Sequence, residues 1–225
     1  MKITVVAATQ LEVEHLLVKY NAHENADWKG LYEAGEELHF LVTGIGMLNT
    51  AANLMRYACL HDRDFYIDAG IAGTFNRNFH INSVCQVSSE TYGDFGVEND
   101  EKFEDFFEMG LIDKSESVFE YGLCKPILSG FHAQIQLPKA TSITVNRVHG
   151  NQQTIEMLQS KYKADIENME GLAFYYVMHI MKKPSIEIRS ISNYVEKRNK
   201  ENWDIQGSVA ALTRETEKLI QLLNT

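Results

Sequence analysis

The segment ENMEGLAFYYVMHIMKKPSIEIRSISNYVEKRNKENWD, residues 167–204, decides the fold because it sets polar groups at the ends of two neighbouring elements. Its first half follows an apolar strand near residues 164–166 and opens a helix, which puts Glu170 in the first helical turn. Its second half predicts a strand over residues 185–191, which releases the polar residues 192–193 into a loop. Because ligands in open α/β sheets collect beyond the carboxyl ends of strands, the segment predicts a ligand pocket there.

Strand and helix patterns also alternate along the rest of the chain. Apolar, β-rich runs at residues 2–8 and 38–43 are each followed by an amphipathic helical stripe, at residues 10–20 and 48–60. This alternation implies an α/β fold with a largely parallel sheet covered by helices on both faces, in one domain over residues 1–225. The remaining patterns predict strands at 65–69, 83–88 and 142–148, and helices at 153–162 and 206–224.

Glycine-rich turns are predicted after two of these strands, at residues 44–46 and 70–73. The first turn invites a dinucleotide-binding interpretation, but Asn49 occupies the third glycine position, so a tight strand-to-helix turn is favoured. The chain has no GxxxxGK phosphate loop, and its eight histidines lack the spacing of metal ligands. We therefore predict no cofactor and no bound metal.

Composition limits the location and the partners of the protein. No stretch of the 225 residues approaches the 18 or so apolar residues of a membrane span. The three cysteines lie far apart, and an odd number does not suit a disulfide framework. A net charge of -10 argues against a nucleic-acid partner, which requires basic patches. We expect a soluble cytoplasmic protein with neither nucleic acid nor membrane as a partner.

The negative charge is concentrated in residues 90–120, where eleven acidic residues face only two lysines. One interpretation is a solvated, mobile excursion from the sheet. The alternative is that its aromatic side chains cover a substrate or a partner subunit. The two interpretations are compatible, and the aromatic residues concerned are Tyr92, Phe95, Phe103, Phe106 and Phe107.

Several polar residues are candidates for chemistry, and each has a structural alternative. Glu12 follows Thr9 at the spacing of a helix capping box, which on pattern alone is the favoured interpretation. Glu170 in a first helical turn is also favoured by the helix dipole. Arg189 on an apolar strand is harder to explain structurally, since a buried guanidinium demands a partner. Residues 192–193 alone predict no more than a polar turn.

Taken in chain order, these residues resemble the nucleoside phosphorylase and nucleosidase superfamily, whose members cleave the bond between a purine and C1′ of ribose. The resemblance spans nearly the whole chain. It implies a three-layer α/β/α fold with a central twisted mixed sheet, and a homo-oligomer. The motifs that carry it are Glu12 after the first strand, TGIG at 43–46, AGIAG at 69–73, Met169 with Glu170, and the Arg-x-Ile-Ser-Asn loop at 189–193.

The same resemblance implies a role for each residue. Glu12 activates the attacking water in the nucleosidase branch, Glu170 holds the ribose hydroxyls and Met169 packs on the sugar. Arg189 and Ser192 orient the water and the loop. Phosphorolysis is the competing outcome in the superfamily. However, the first loop, AATQLEVEH, lacks the glycine and arginine of phosphorylase phosphate contacts, so water is the expected nucleophile.

Within the superfamily the chain most resembles the futalosine hydrolase family. Three local features drive this choice: GDFGVE at residues 93–98, TVN at 144–146, and ISN at 191–193 followed by Arg198 and Trp203. Asn193 distinguishes this chain from the methylthioadenosine/S-adenosylhomocysteine nucleosidases, because those enzymes carry an Asp at the matching position. An amide can donate towards N7 or O6 of a 6-oxopurine. The resemblance therefore implies futalosine as the substrate and hypoxanthine as the product.

The residues at the edges of the predicted pocket are assigned from the same resemblance. Gly73, Val148 and His149 are expected near the purine, although His149 is also interpreted as structural or exposed. Arg198 and Trp203 are candidates for the 5′ substituent, through charge pairing and stacking. Two alternatives stay open. The first is a nucleosidase for methylthioadenosine, S-adenosylhomocysteine or aminodeoxyfutalosine, the 6-amino analogue of futalosine, and the second is a nucleoside-binding protein without turnover.

Overall fold

A computed structural model describes residues 1–100, 102–197 and 199–224. Within these ranges no helix has both the length and the apolar character needed to cross a bilayer. The strands are β1 (Ile3–Ala7), β2 (His23–Glu24), β3 (Leu31–Ala34), β4 (Leu38–Val42), β5 (Phe65–Thr74), β6 (Val84–Tyr92), β7 (Gly96–Asn99), β8 (Lys102–Asp105), β9 (Lys139–Thr144), β10 (Ile166–Asn168) and β11 (Ser185–Tyr194). The helices are α1 (Gln10–Lys19), α2 (Met47–Leu60), α3 (Gln152–Tyr162), α4 (Gly171–Met181) and α5 (Ile205–Leu223).

Helices cover both faces of the main sheet. Helices α2 and α4 pack over one face, in a core that contains Val6 and Tyr66. Helices α1 and α5 pack over the other face, in a core that contains Val5 and Ile67. Successive strand residues thus enter opposite cores, as the two-residue period of a strand requires. The predicted three-layer α/β/α architecture is confirmed.

The main sheet follows the order β10-β9-β6-β11-β5-β1-β4-β3-β2. Its centre is parallel, because β1 pairs parallel with β4 and β5, and β5 pairs parallel with β11. Strand β6 runs antiparallel to β11, and β3 runs antiparallel to both of its neighbours. The sheet is therefore mixed, as the family resemblance implies. The expectation of a largely parallel sheet is correct for the pairs among β4, β1, β5 and β11 and for those among β6, β9 and β10, and is wrong for β11–β6, for β10–β5 and for the edge strands β2 and β3.

One end of the sheet closes on itself around the end of β5. Strand β10 pairs parallel with β9 and antiparallel with the last residues of β5, where Glu167 lies opposite Gly73. On the other side of β5, Asn193 of β11 also lies opposite Gly73. Strands β5, β11, β6, β9 and β10 thus form a closed ring. This closure brings the ends of three strands to one place.

Several predicted boundaries are wrong at the same place. Residues 70–73 were expected to form a turn but continue β5, and residues 192–193 lie in β11 instead of a loop. A register shift between Ile191 and Asn193 marks a bulge there. Strand β9 ends at Thr144, four residues before the predicted end. The ring explains the extension of β5 and β11, because mutual pairing continues strands beyond their apolar runs, whereas β9 is shorter than its apolar run.

The acidic segment contains a short hairpin of β7 and β8 and an aromatic cluster. Ring centroids lie 4.8 Å apart for Tyr92 and Phe95, and 4.5 Å apart for Phe95 and Phe106. Phe107 also packs on Phe119, at 5.0 Å. The aromatic side chains therefore contact one another to a large extent. Whether they also cover a partner subunit stays a prediction.

Candidate active site

A cavity of about 340 Å³ lies at the carboxyl ends of β1, β5, β10 and β11, where the sequence predicted a pocket. Its volume is that of a small-molecule site. A larger groove, of about 660 Å³, lies at the opposite ends of β1 and β5, where Lys2 and Arg63 line it. The position at the strand ends favours the smaller cavity. The predicted residues that line it are Glu12, Gly73, Val148, Met169, Glu170, Ser192, Asn193 and Trp203.

Glu12 is both a helix cap and a cavity group. Its Oε2 accepts hydrogen bonds from the Thr9 backbone N–H at 2.8 Å and the Thr9 hydroxyl at 2.9 Å. Its Oε1 accepts one from the Ile71 N–H at 3.3 Å. Burial raises the pKa of Glu12 above its usual 4.5, while the Thr9 hydrogen bonds and the charge of Arg189 oppose the shift. The capping interpretation is therefore confirmed, Glu12 also lines the cavity, and its role in activating water stays a prediction.

Arg189 lies beneath the cavity and does not line it. Its side chain is 1% exposed, and it donates to Asp68 Oδ2 at 2.5 Å and to Glu187 Oε1 at 2.8 Å. A Cβ on Gly70 would lie 1.9 Å from Arg189 Nη1 and 3.3 Å from Glu12 Oε1. The glycine thus lets the guanidinium approach the Glu12 carboxylate. Arg189 can act on the site through Glu12, but direct contact with a ligand is not supported.

Glu170 is placed by the residues around the start of α4. It is the N-cap of this helix, one position before the predicted first turn. Asn168 Oδ1 accepts hydrogen bonds from the backbone N–H groups of Glu170 and Gly171, at 2.8 and 2.7 Å. Glu170 Oε1 accepts from the Gly46 N–H at 2.9 Å, and Gly46 adopts a φ of 92°, which glycine accommodates. Glu170 is thus fixed in the cavity wall.

Asn193 has a defined amide orientation. Its Oδ1 accepts a hydrogen bond from the Ser192 hydroxyl at 2.8 Å, and its Nδ2 donates to the Tyr194 carbonyl at 3.0 Å. One Nδ2 hydrogen stays available to a ligand, since an amide nitrogen carries two. The Tyr194 carbonyl, which can only accept, fixes which end of this amide donates, and the Ser192 hydroxyl lies beside the amide oxygen and the Ala72 carbonyl.

His149 lies behind the cavity wall, in contact with Glu167. Its backbone N–H donates to Glu167 Oε1 at 3.3 Å, and its Nδ1 lies 2.9 Å from Glu167 Oε2. Both side chains are 3% exposed. Glu167 lines the cavity, whereas His149 lines a separate cleft beside it. The structural interpretation of His149 is favoured, and Glu167 takes the place at the wall.

Some cavity residues were not predicted, and one prediction cannot be placed. Arg198 lies outside the described residues. Glu167 and Asn168 were missed, although a carboxylate within an apolar strand is the same signal that singled out Arg189. Within the described residues no three His, Cys, Asp or Glu side chains are grouped as metal ligands. The other lining residues that were not predicted are Ala8, Thr9, Leu11, Ile45, Ile71, Ala72, Val145 and Ile205.

The chain is similar in sequence and in fold to known nucleosidases. The futalosine hydrolase of Thermus thermophilus is 27% identical, over 86% of this chain and 84% of its own length. The 5′-methylthioadenosine/S-adenosylhomocysteine nucleosidase of Bacillus subtilis is 24% identical, over 99% and 98%. A mutant of the Helicobacter pylori nucleosidase, solved with 5′-methylthioadenosine in its active site, matches with a TM-score of 0.80 at 17% identity, over 98% of each chain. The model of the phosphorylase superfamily matches residues 2–225, and the chain therefore belongs to that superfamily.

Proposed function

We propose that this protein hydrolyses the N-glycosidic bond of futalosine and releases hypoxanthine. The observation that carries the proposal is the pair of carboxylates in the cavity, Glu12 and Glu170. Each is held by backbone N–H groups, and each faces the same space. The similarity to a futalosine hydrolase over most of both chains supports the choice of substrate.

The proposed mechanism is dissociative. The glycosidic bond stretches until the ribose has oxocarbenium character, and Glu170 binds the ribose hydroxyls while Met169 packs on the sugar. Glu12 then takes a proton from the water that attacks C1′. Its raised pKa suits a general base, whose help is typically worth about 10²- to 10⁴-fold. Arg189 stabilises the ionised form of Glu12 from beneath.

Asn193 supports a 6-oxopurine as the leaving group. Its available N–H hydrogen can donate to N7 or O6 and stabilise the charge that gathers on hypoxanthine. The second candidate is a methylthioadenosine/S-adenosylhomocysteine or aminodeoxyfutalosine nucleosidase. It is favoured by the similarity to the Bacillus subtilis enzyme over nearly the whole chain. The amide at residue 193 is the feature against it, because it cannot deliver a proton to N7.

We further propose that the protein is a single domain over residues 1–225 and forms a homo-oligomer whose neighbouring subunit covers the 5′ side of the substrate. Leu11 and Ile45 line the cavity and yet are 52% and 57% exposed. Leu48, at the start of α2, is 83% exposed. A second copy of the chain can bury these exposed apolar side chains, two of which line the cavity, together with the 5′ group.

Base release from defined nucleosides tests the function. The purified protein is incubated in phosphate-free buffer with futalosine, methylthioadenosine or inosine, and free base is followed by chromatography. Hypoxanthine from futalosine alone is the expected result. Adenine from methylthioadenosine would assign the second candidate instead. Release only after phosphate is added would indicate a phosphorylase, and no release from any of the three would leave a binding protein.

A further inference from the structure

The first turn of α4 is held by a buried hydroxyl that the proposed mechanism does not use. Thr144, the last residue of β9, has no exposed surface and is not among the residues that line the cavity. The Leu172 backbone N–H donates to its Oγ1 at 2.8 Å. Because a backbone N–H can only donate, the hydroxyl accepts there and donates its own hydrogen to Glu90 Oε2, also at 2.8 Å. Thr144 therefore joins the start of the helix to a buried carboxyl in a fixed direction.

Asn168 makes a second connection of the same kind. Its Oδ1 accepts from the backbone N–H groups of Glu170 and Gly171, and its Nδ2 donates to Glu90 Oε1 at 2.6 Å. The three successive N–H groups of residues 170–172 are thus satisfied through two side chains that both donate to Glu90. A helix leaves its first N–H groups without intrahelical partners, so these contacts decide where α4 begins.

Helix α4 begins in direct contact with the buried carboxyls. A Cβ on Gly171 would overlap with Glu90 Oε1 and Glu187 Oε1, so only a glycine fits between the helix start and these groups. The carboxyls lie immediately beneath the N-terminal turn, where the partial positive charge of a helix stabilises negative charge. Contact blocks movement of the turn towards Glu90, and the hydrogen bonds of Thr144 and Asn168 oppose movement away from it.

The Glu170 carboxylate is placed by this turn and by one further contact. Its backbone is the N-cap of α4, and its Oε1 accepts from the Gly46 N–H at 2.9 Å. Among the described residues no group donates to its Oε2, which leaves this oxygen available in the cavity wall. Because the side chain extends from the helix start, a shift of the first turn moves the carboxylate. A misplacement of about 1 Å is enough to cost about 10²-fold in the use of a bound substrate.

We propose that Thr144 is a positioning residue for ribose binding: it holds the first turn of α4 on Glu90, and this sets where the Glu170 carboxylate meets the ribose hydroxyls. The inference rests on the proposed function, in which Glu170 binds those hydroxyls, and deepens it by naming the group that orients Glu170. Thr144 itself touches neither the substrate nor the reacting atoms. Loss of its hydroxyl should therefore weaken the contacts of the ribose hydroxyls and leave the contacts of the base unchanged.

Binding of inosine and of 2′,3′-dideoxyinosine, which lacks both ribose hydroxyls, tests the proposal. Each nucleoside is titrated by calorimetry, in phosphate-free buffer, into the wild type, Thr144→Val and Thr144→Ser. The wild type should bind inosine about 10- to 100-fold more tightly, because only inosine can donate to the Glu170 carboxylate. Thr144→Val keeps the shape of the side chain without its hydroxyl, so this advantage should fall to about 1- to 3-fold while the affinity for dideoxyinosine stays the same. Thr144→Ser keeps the hydroxyl and should keep the advantage.

A matched control separates positioning from a general loss of stability. Thr216 on α5 is also fully buried, and its hydroxyl donates to the Leu212 carbonyl at 2.8 Å. Thr216→Val removes a buried hydroxyl of the same kind from another helix, and it should keep the wild-type ratio of affinities even where its melting temperature falls. If Thr144→Val does not fold, Thr144→Ala removes the same hydroxyl without adding a methyl group and carries the same expectation. If inosine is cleaved during the titration, the ratio of kcat/KM values for the two nucleosides replaces the ratio of affinities.

Three outcomes would overturn the inference. An unchanged inosine advantage in folded Thr144→Val or Thr144→Ala would show that Glu170 is placed without the hydroxyl. Equal weakening of both nucleosides would mean that Thr144 supports the cavity as a whole. Equal binding of both nucleosides by the wild type would mean that Glu170 does not bind the ribose hydroxyls. Failure of the proposed function is distinguishable from these, because the wild type can show the inosine advantage, and lose it in Thr144→Val, without cleaving futalosine.

Discussion

Two pairs of buried carboxyls lie in one region of the fold, and they differ in the groups that donate hydrogen bonds to their oxygens. Glu12 and Glu170 line the cavity, and backbone N–H groups donate to their oxygens. Glu90 and Glu187 lie under the start of α4 with no exposed surface and approach each other. The first pair keeps open acceptor positions towards a ligand. The second pair faces only protein, so its charge must be neutralised internally.

The contacts of the second pair, Glu90 and Glu187, show how its charge is neutralised. Asn168 and Thr144 donate to the two oxygens of Glu90, at 2.6 and 2.8 Å, and Arg189 donates to Glu187 Oε1. Among the described residues, no donor reaches Glu187 Oε2. Burial raises the pKa of both carboxyls, and the charge of Glu90 raises that of Glu187 further. We therefore expect one proton to be held between the two carboxyls.

The largest expected effect is on kcat, from a change of Glu12 in the pair that lines the cavity. Glu12→Gln removes the proposed general base, and its single carbonyl oxygen can still accept from the Thr9 backbone and hydroxyl, while the hydrogen bond from the Ile71 N–H is lost. We expect kcat to fall by about 10²- to 10⁴-fold, with ligand affinity and melting temperature largely kept. Glu14→Gln, an exposed change on the same helix, is the control. Full activity in Glu12→Gln would mean that Glu12 is only a helix cap.

Arg189 links the two groups of carboxyls, because its guanidinium lies next to Gly70 and Glu12 and also donates to Glu187. Gly70→Ala would set a methyl group 1.9 Å from Arg189 Nη1, and the ion pairs to Asp68 and Glu187 prevent the guanidinium from moving freely. We expect a loss of about 2–4 kcal/mol in the free energy of unfolding, measured by chemical denaturation. Gly130→Ala, where nothing lies within 4 Å of the new methyl group, should change it little.

Asn193→Asp adds a carboxylate to the cavity without changing its shape. It replaces the amide that donates to the 6-oxopurine, and the Ser192 hydroxyl can still donate to the new side chain. We expect kcat/KM for futalosine to fall by about 5- to 150-fold, and 6-amino substrates to lose less or to gain. Competition between the two substrate classes in one reaction measures this directly. An unchanged preference would remove the main reason for choosing a 6-oxopurine.

The cavity residues also show which site residues can be predicted from sequence. The capping spacing of Thr9 and Glu12, and the position of Glu170 after an apolar strand, are local patterns, so these residues were predicted. Glu167 acquires its place through the pairing of β10 with the end of β5, which joins residues far apart in sequence. A local pattern contains no such information.

The predicted strand boundaries were wrong for the same reason. The bulge at Asn193 and the extension of β5 through Gly73 both depend on neighbours across the ring. Strands β2, β7 and β8 were missed because they are short and mostly polar. Strand β3 was missed because it has only four residues, although its Leu31 is buried in the core. Apolar periodicity predicts the strands that fill the core, and pairing between distant segments determines the rest.

The smallest expected effect is on stability, from Glu187→Gln in the pair Glu90 and Glu187. Its carbonyl can accept from Arg189 Nε, and its amide can donate to Glu90 in place of the shared proton. We therefore expect the free energy of unfolding at pH 7 to change by less than about 1 kcal/mol. Glu187→Ala, which leaves Arg189 Nε without that acceptor, should instead cost about 3–5 kcal/mol.

The pH dependence of stability separates a shared proton from an ordinary ion pair. The unfolded chain releases the Glu187 proton near the usual pKa of 4.5, while the raised pKa keeps it on the folded protein. The wild-type free energy of unfolding should therefore fall as the pH rises from 4.5 towards the raised pKa, since the folded state binds more protons. Glu187→Gln has no such proton, so its decline from pH 5 to pH 8 should be shallower. An equal or steeper decline would show that Glu187 is ionised, and the two groups of carboxyls would then not differ in protonation.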